Sequence, residues 1–169
     1  VFGFDIDAAG EEFLLEMQRD GRKTLMRFPT NQSSEPTAIP IAGSLAYGAP
    51  RLSPAGDRIA CLEFTIDDAE AGYSVGERRG VLTILPRSGG PPRAMSLPDL
   101  TVVGHPCWLD EQNIAIVGLN ARTGTQSIYR VTLPGPGQRP SVTALLPTRN
   151  DRVWRPRQLA ITTIHADKP

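Results

Sequence analysis

The sequence predicts an all-β protein assembled from repeated four-stranded antiparallel sheets, and three observations carry that prediction. First, one short pattern returns along the chain: a proline-led strand, a tight turn, then an apolar strand. Its best copies are Pro50-Arg51-Leu52-Ser53-Pro54-Ala55-Gly56-Asp57-Arg58-Ile59-Ala60 and Pro106-Cys107-Trp108-Leu109-Asp110-Glu111-Gln112-Asn113-Ile114-Ala115. A copy without the proline runs from Asp5 to Leu14, and Pro156 opens a further one. A period of roughly 40 to 50 residues built of short strands is the signature of propeller blades. Second, the 16 Gly and 16 Pro fall between apolar runs rather than in a separate tract, as in turn-dense β-structure. Third, runs such as Ile59-Ala60-Cys61-Leu62 and Ile114-Ala115-Ile116-Val117-Gly118 suit strands covered on both faces.

The elements follow in order. Residues 2–7 alternate as a strand, and Ala8-Ala9-Gly10 supplies a turn. Residues 12–17 have the composition of a helix. However, Asp20-Gly21 follows at once and 24–28 then alternate, so the segment predicts a hairpin. Residues 37–41 form a proline-tolerating edge strand. The second unit offers strands at 51–53, 58–65, 81–85 and 93–97; the third offers 107–109, 113–119, 127–133 and 142–146. The blade units are thus 1–46, 47–103 and 104–153, with the start of a further one at 154–169. A lone sheet of this kind has two apolar faces and cannot bury both, whereas sheets stacked around an axis bury each other. An immunoglobulin-like sandwich or irregular barrel has enough strands but leaves the recurring order unexplained.

The repeats resemble the TolB-type propeller repeat: proline, any residue, Trp or Phe, Ser-Pro-Asp-Gly, two residues, then an apolar strand. Pro50, Leu52, Ser53, Pro54, Gly56, Ile59 and Ala60 match it, with Ala55 in the acidic place. In the third unit Pro106, Trp108 and Ile114-Ala115 match, while Leu109-Asp110-Glu111-Gln112 replaces the turn. Ser127-Ile128-Tyr129-Arg130-Val131 resembles the later strand, and the stretch from Pro86 to Arg93 the Gly-Gly turn before the last one. The resemblance implies a six- or seven-bladed propeller, often periplasmic or extracytoplasmic, that binds proteins or small ligands on one face. Similar propellers form the non-catalytic gating domain of prolyl-oligopeptidase-type peptidases. Closed propellers usually have about four to eight blades, so three predict an incomplete ring, a fragment of a longer one or a ring completed by oligomerisation. An open stack would leave two apolar faces in water.

Composition narrows the function classes. Eighteen Lys+Arg balance 18 Asp+Glu, which provides no basic field for nucleic acid. No apolar run approaches the ~18 residues that span a bilayer. The chain opens on Val1 without a visible signal peptide, as expected of a processed or excised product. Cys61 and Cys107 match no zinc or redox spacing, are expected as small buried hydrophobes, and need no disulfide.

Candidate chemistry is sparse. Gly72-Tyr73-Ser74-Val75-Gly76 fits the nucleophile-elbow pattern, but that motif needs a buried strand before it and a helix after. Here the acidic Asp67-Asp68-Ala69-Glu70-Ala71 precedes it and Glu77-Arg78-Arg79-Gly80 follows, which predicts a loop. Asp5 and Asp7 share a strand face, yet lack the oxygen-rich loop of a calcium site, so neither metal nor cofactor is expected. The binding surface is expected where blades meet the channel mouth, just before the lead prolines, at Tyr47, His105 and Trp154. His105 brings a group that titrates near neutral pH. The leading expectation is a non-enzymatic binding or scaffold module, possessing a protein partner or associating with itself through its terminal blades. Its setting would be a larger bacterial extracytoplasmic protein. The alternatives are the propeller portion of a prolyl-oligopeptidase-like serine peptidase and, more remotely, a hydrolase using Ser74.

Overall fold

The computed structural model describes residues 3–19, 22–31, 35–41, 46–64 and 79–146. Every regular element among them is a β-strand. The first blade comprises β1 (Phe4–Ile6), β2 (Glu12–Arg19), β3 (Arg22–Pro29) and β4 (Thr37–Ala38). The second comprises β5 (Ala46–Leu52), β6 (Arg58–Phe64), β7 (Arg79–Pro86) and β8 (Arg93–Ala94). The third comprises β9 (Leu100–Trp108), β10 (Asn113–Asn120), β11 (Gln126–Thr132) and β12 (Ser141–Ala144). Within each blade the strands pair antiparallel in chain order. A short pairing of β7 with β9, Arg79 opposite Val103 and Gly80 opposite Val102, links the second blade to the third. No described strand of the first blade pairs with one of the third, so the ring is open. The fold is therefore all-β, made of propeller-type blades.

The 12–17 segment takes the strand option and pairs with β3 from Glu12 opposite Pro29 to Arg19 opposite Arg22. Two expectations shift. The inner strands β5 and β9 are longer than predicted because they run through their prolines: each ladder slips there, between Gly48 and Arg51 and between Val103 and Cys107. A bulge leaves its extra residue outside the ladder, so a proline without an N–H costs nothing at that point. The outer strands β4 and β8 shrink to two residues each, where proline-rich flanks stop the pairing.

Period-2 alternation explains the core. In the second blade Tyr47, Ile59, Cys61 and Leu85 point to one face by register, and Ala46, Ala60, Leu62, Phe64, Leu82 and Ile84 to the other. The first set packs on Leu14, Leu25 and Ile39 of the first blade. The second packs on Val102, Trp108, Ile114, Ile116, Tyr129 and Val131 of the third. The middle sheet is thus buried on both sides, which is why its strands carry no polar face.

The three inner hairpins use one device with different residues. Asp7 Oδ1 accepts the N–H groups of Glu11 (2.8 Å) and Glu12 (3.2 Å). Ser53 Oγ accepts from Arg58 N–H at 3.3 Å, and Asp110 Oδ1 from those of Gln112 (2.7 Å) and Asn113 (2.9 Å). A side-chain oxygen at the turn's entrance replaces a backbone acceptor. The Gly-Gly turn after β7 packs across blades: Gly90 N–H donates to Pro40 O at 3.1 Å, and Ile41 bridges Gly90. Gly89 (φ 88°) presses so closely on Pro40 that a Cβ there would lie 2.5 Å from Pro40 Cγ.

Candidate functional site

Of the residues expected at the channel mouth, Tyr47 lies in β5 between the first and second blades, 3% exposed, among Leu14, Ile59 and Cys61. Burial raises its phenol to about 12, with the Glu63 carboxylate on the paired strand adding to the effect. His105 is also buried, within the slipped segment of β9. Trp154 and the elbow around Ser74 lie outside the described residues. Tyr47 and His105 do not occupy equivalent places: the residue before the second blade's proline is Ala49, not Tyr47. Asp5 and Asp7 are each occupied within the protein, Asp5 Oδ2 by Leu52 N–H at 2.7 Å and Asp7 Oδ2 by Arg87 at 3.2 Å. Among the described residues, no three His, Cys, Asp or Glu side chains gather in a metal-binding group.

Three features that sequence reasoning did not single out define the interblade geometry. At the inner strand, Ala49 has the left-handed φ of 53°, a conformation that costs a non-glycine residue roughly 1 kcal/mol or more. The buried Glu16 of β2 reaches across the interface and accepts its N–H at 3.1 Å. Gly3 completes this contact, since a Cβ there would crowd Glu16 Oε2, Pro50 Cδ and Ala49 Cα. Glu16 left no local clue in the sequence, because it belongs to the polar half of the alternation (Glu12, Leu14, Glu16, Gln18), opposite Phe13, Leu15 and Met17.

At the rim, Arg87 bridges the first two blades, with Nη2 3.2 Å from Asp7 Oδ2 and 2.8 Å from Glu12 Oε1, while Nη1 donates to Gly56 O. Arg27 holds the other Glu12 oxygen at 2.7 Å. The Arg27 hydrogen bond, then Arg87, hold the Glu12 carboxyl below its ordinary range against the opposing effect of burial. Burial also opposes ionisation of Asp7, but the Glu11 and Glu12 N–H groups and Arg87 outweigh it and keep this carboxyl low. The second junction uses other parts: Arg58 pairs with Glu111 and lies 5.2 Å from the Trp108 ring centroid, and Trp108 Nε1 donates to Arg51 O at 2.9 Å.

The third feature is a bare surface. By register, the first blade's face opposite Leu14 and Leu25 carries Phe4, Ile6, Phe13, Leu15, Met17 and Phe28. Phe4 is 59% and Ile6 44% exposed, and the other four are half-buried. The corresponding far face of the third blade differs, for Val103, Ala115 and Val117 there are buried.

No protein-family model and no curated protein matches the chain. Among solved structures it is similar to a puromycin-hydrolyzing peptidase from Mycobacterium tuberculosis, with a TM-score of 0.57 and 17% identity over 86% of this chain. The chain spans 23% of that peptidase. A second similarity is to a protein described as TolB from Agrobacterium tumefaciens, with a TM-score of 0.42 and 18% identity over 85% of this chain and 61% of the other. The first likeness is one of fold; the second is too loose a superposition to bear an argument.

Proposed function

We propose that the chain is a non-enzymatic β-propeller segment that acts as a binding or scaffold module within a larger bacterial extracytoplasmic protein. One observation carries this reading: three blades stand in an open ring with an apolar sheet face bare at one end. Monomeric proteins rarely leave a contiguous apolar patch of more than a few hundred Å² in water unless it meets another surface. The TolB-type character of the Pro50 to Ala60 repeat accords with such a role, and the extracytoplasmic setting rests on that resemblance. The test is chemical. The purified chain should neither turn over peptide or ester substrates nor react with a fluorophosphonate probe; covalent labelling at Ser74, or turnover that persists through purification, would refute the non-enzymatic reading.

The peptidase likeness favours a second reading, in which these blades are the propeller portion of a serine peptidase. In that case a catalytic domain should be encoded in the same gene. Adding this chain to that domain should change its selectivity for long over short peptides. A gene without such a domain removes this alternative.

A further inference from the structure

We infer that the bare face of the first blade seats a second copy of this chain, first blade against first blade, across a two-fold axis. The inference rests on the reading of the chain as a propeller module and identifies its partner. By register the face carries Phe4 and Ile6 of β1, Phe13, Leu15 and Met17 of β2, and Met26 and Phe28 of β3, with Thr24 and, at the hairpin end, Arg19 and Arg22 in the same alternation. It continues the stack already built twice within the chain, where apolar sheet faces meet and charged pairs stay at the rim. What selects a two-fold is the inequality of the two ends. Head-to-tail association needs a bare apolar acceptor on the third blade, and on that blade's far face Val103, Ala115 and Val117 are 5% exposed or less, with Cys107 and Ile128 half-buried and Arg130 exposed beside them. A face that can meet only its own copy makes an isologous contact, and an isologous contact closes at two subunits.

The dimensions set the strength. Strands of up to 8 residues span about 26 Å at a rise of about 3.3 Å, and three of them at a spacing of about 4.8 Å span about 14 Å. That footprint of roughly 400 Å² per copy lies below the ~800 Å² per partner of a standard stable interface. An interface of that size is expected to be weak and reversible.

Light scattering coupled to size exclusion, run on the full 169-residue chain from about 1 to 300 μM, tests this. The mass should rise from 18.3 kDa to twice that and stop. The double variant Phe4→Lys/Ile6→Lys should weaken dimerisation at least tenfold, and Val142→Lys on the third blade should leave it unchanged. Should the double variant unfold by circular dichroism, Met17→Lys on the neighbouring strand gives the same reading. A monomer at 300 μM overturns the inference, as does growth beyond two copies. A dimer that survives the first-blade lysines or is lost with Val142→Lys overturns it too. None of these results touches the propeller-module reading, which covalent labelling at Ser74 would refute whatever the mass.

Discussion

Replacing Gly89 with alanine tests whether the Gly-Gly turn of the second blade bears on the first. Two costs separate cleanly. Gly89 has φ 88°, and a left-handed conformation costs an L-residue roughly 1 to 2 kcal/mol. The added Cβ would also sit 2.5 Å from Pro40 Cγ, 2.7 Å from Pro40 Cδ and 2.8 Å from Pro40 O. Overpacking of that kind costs about 1 to 3 kcal/mol. Gly89→Ala should therefore destabilise the protein by about 2 to 5 kcal/mol. Gly124 supplies the control, because its φ is 67° and a Cβ there meets nothing within 4 Å. Gly124→Ala should lose only the backbone part, about 1 to 2 kcal/mol. Urea unfolding at 25 °C reads both, with an unchanged m-value showing that the denatured state is not the source. Adding Pro40→Ala to Gly89→Ala should recover about 1 kcal/mol through the lost Cγ and Cδ contacts, leaving the carbonyl contact in place. If Gly89→Ala costs no more than Gly124→Ala, the turn does not bear on the first blade.

Two further outcomes are expected. The Asp7 and Glu12 carboxyls are held low in the folded state, below unfolded values near 4. The stability they contribute is therefore complete above about pH 5 and is lost as pH falls through their folded values. Arg87→Met should flatten the urea midpoint against pH between about 3 and 5; a curve parallel to that of the wild type would remove Arg87 from the account. Cys61 is fully buried, its thiol pushed up by burial and the Glu63 charge, whereas Cys107 is half-buried on the third blade's far face. A thiol reagent should thus modify Cys107 first and Cys61 only on unfolding, and equal rates would contradict this placement.

Much of the architecture was legible because it follows from local rules. The Ser53 to Asp57 turn, the alternation of 24–28 and the doubly apolar run from Ile59 to Leu62 each predict the element that forms. The length of β9 was hidden, since Gly104 and Pro106 look like breakers until a bulge takes them out of the ladder. The interblade ion pairs were illegible for a different reason. Arg87 and Glu12 are 75 residues apart, and nothing in a local pattern tells which charged residue of one hairpin will face another. Likewise, the turns at Asp7 and Asp110 looked degenerate against the Ser-Pro-Asp-Gly pattern. What recurs is an acceptor oxygen at the turn's entrance, which Asp and Ser supply equally well. Tyr47, expected at the channel mouth, is 3% exposed, while the bare face is spread over three strands whose residues look like ordinary core.

The pairing of β7 with β9 gives the chain two tiers of cooperativity. Backbone hydrogen bonds run without interruption from β5 to β12, so the second and third blades form a single continuous sheet. The first blade joins them through side chains, capping contacts at Asp5, Glu16 and Arg87, and a short backbone contact of Pro40 and Ile41 with Gly90. Amide protons of β2 and β3 should then exchange by a cheaper opening than those of β6 and β10. The first blade becomes the part that can lift away while the rest stays folded, so the exposed apolar face is mounted on the chain's most detachable sheet.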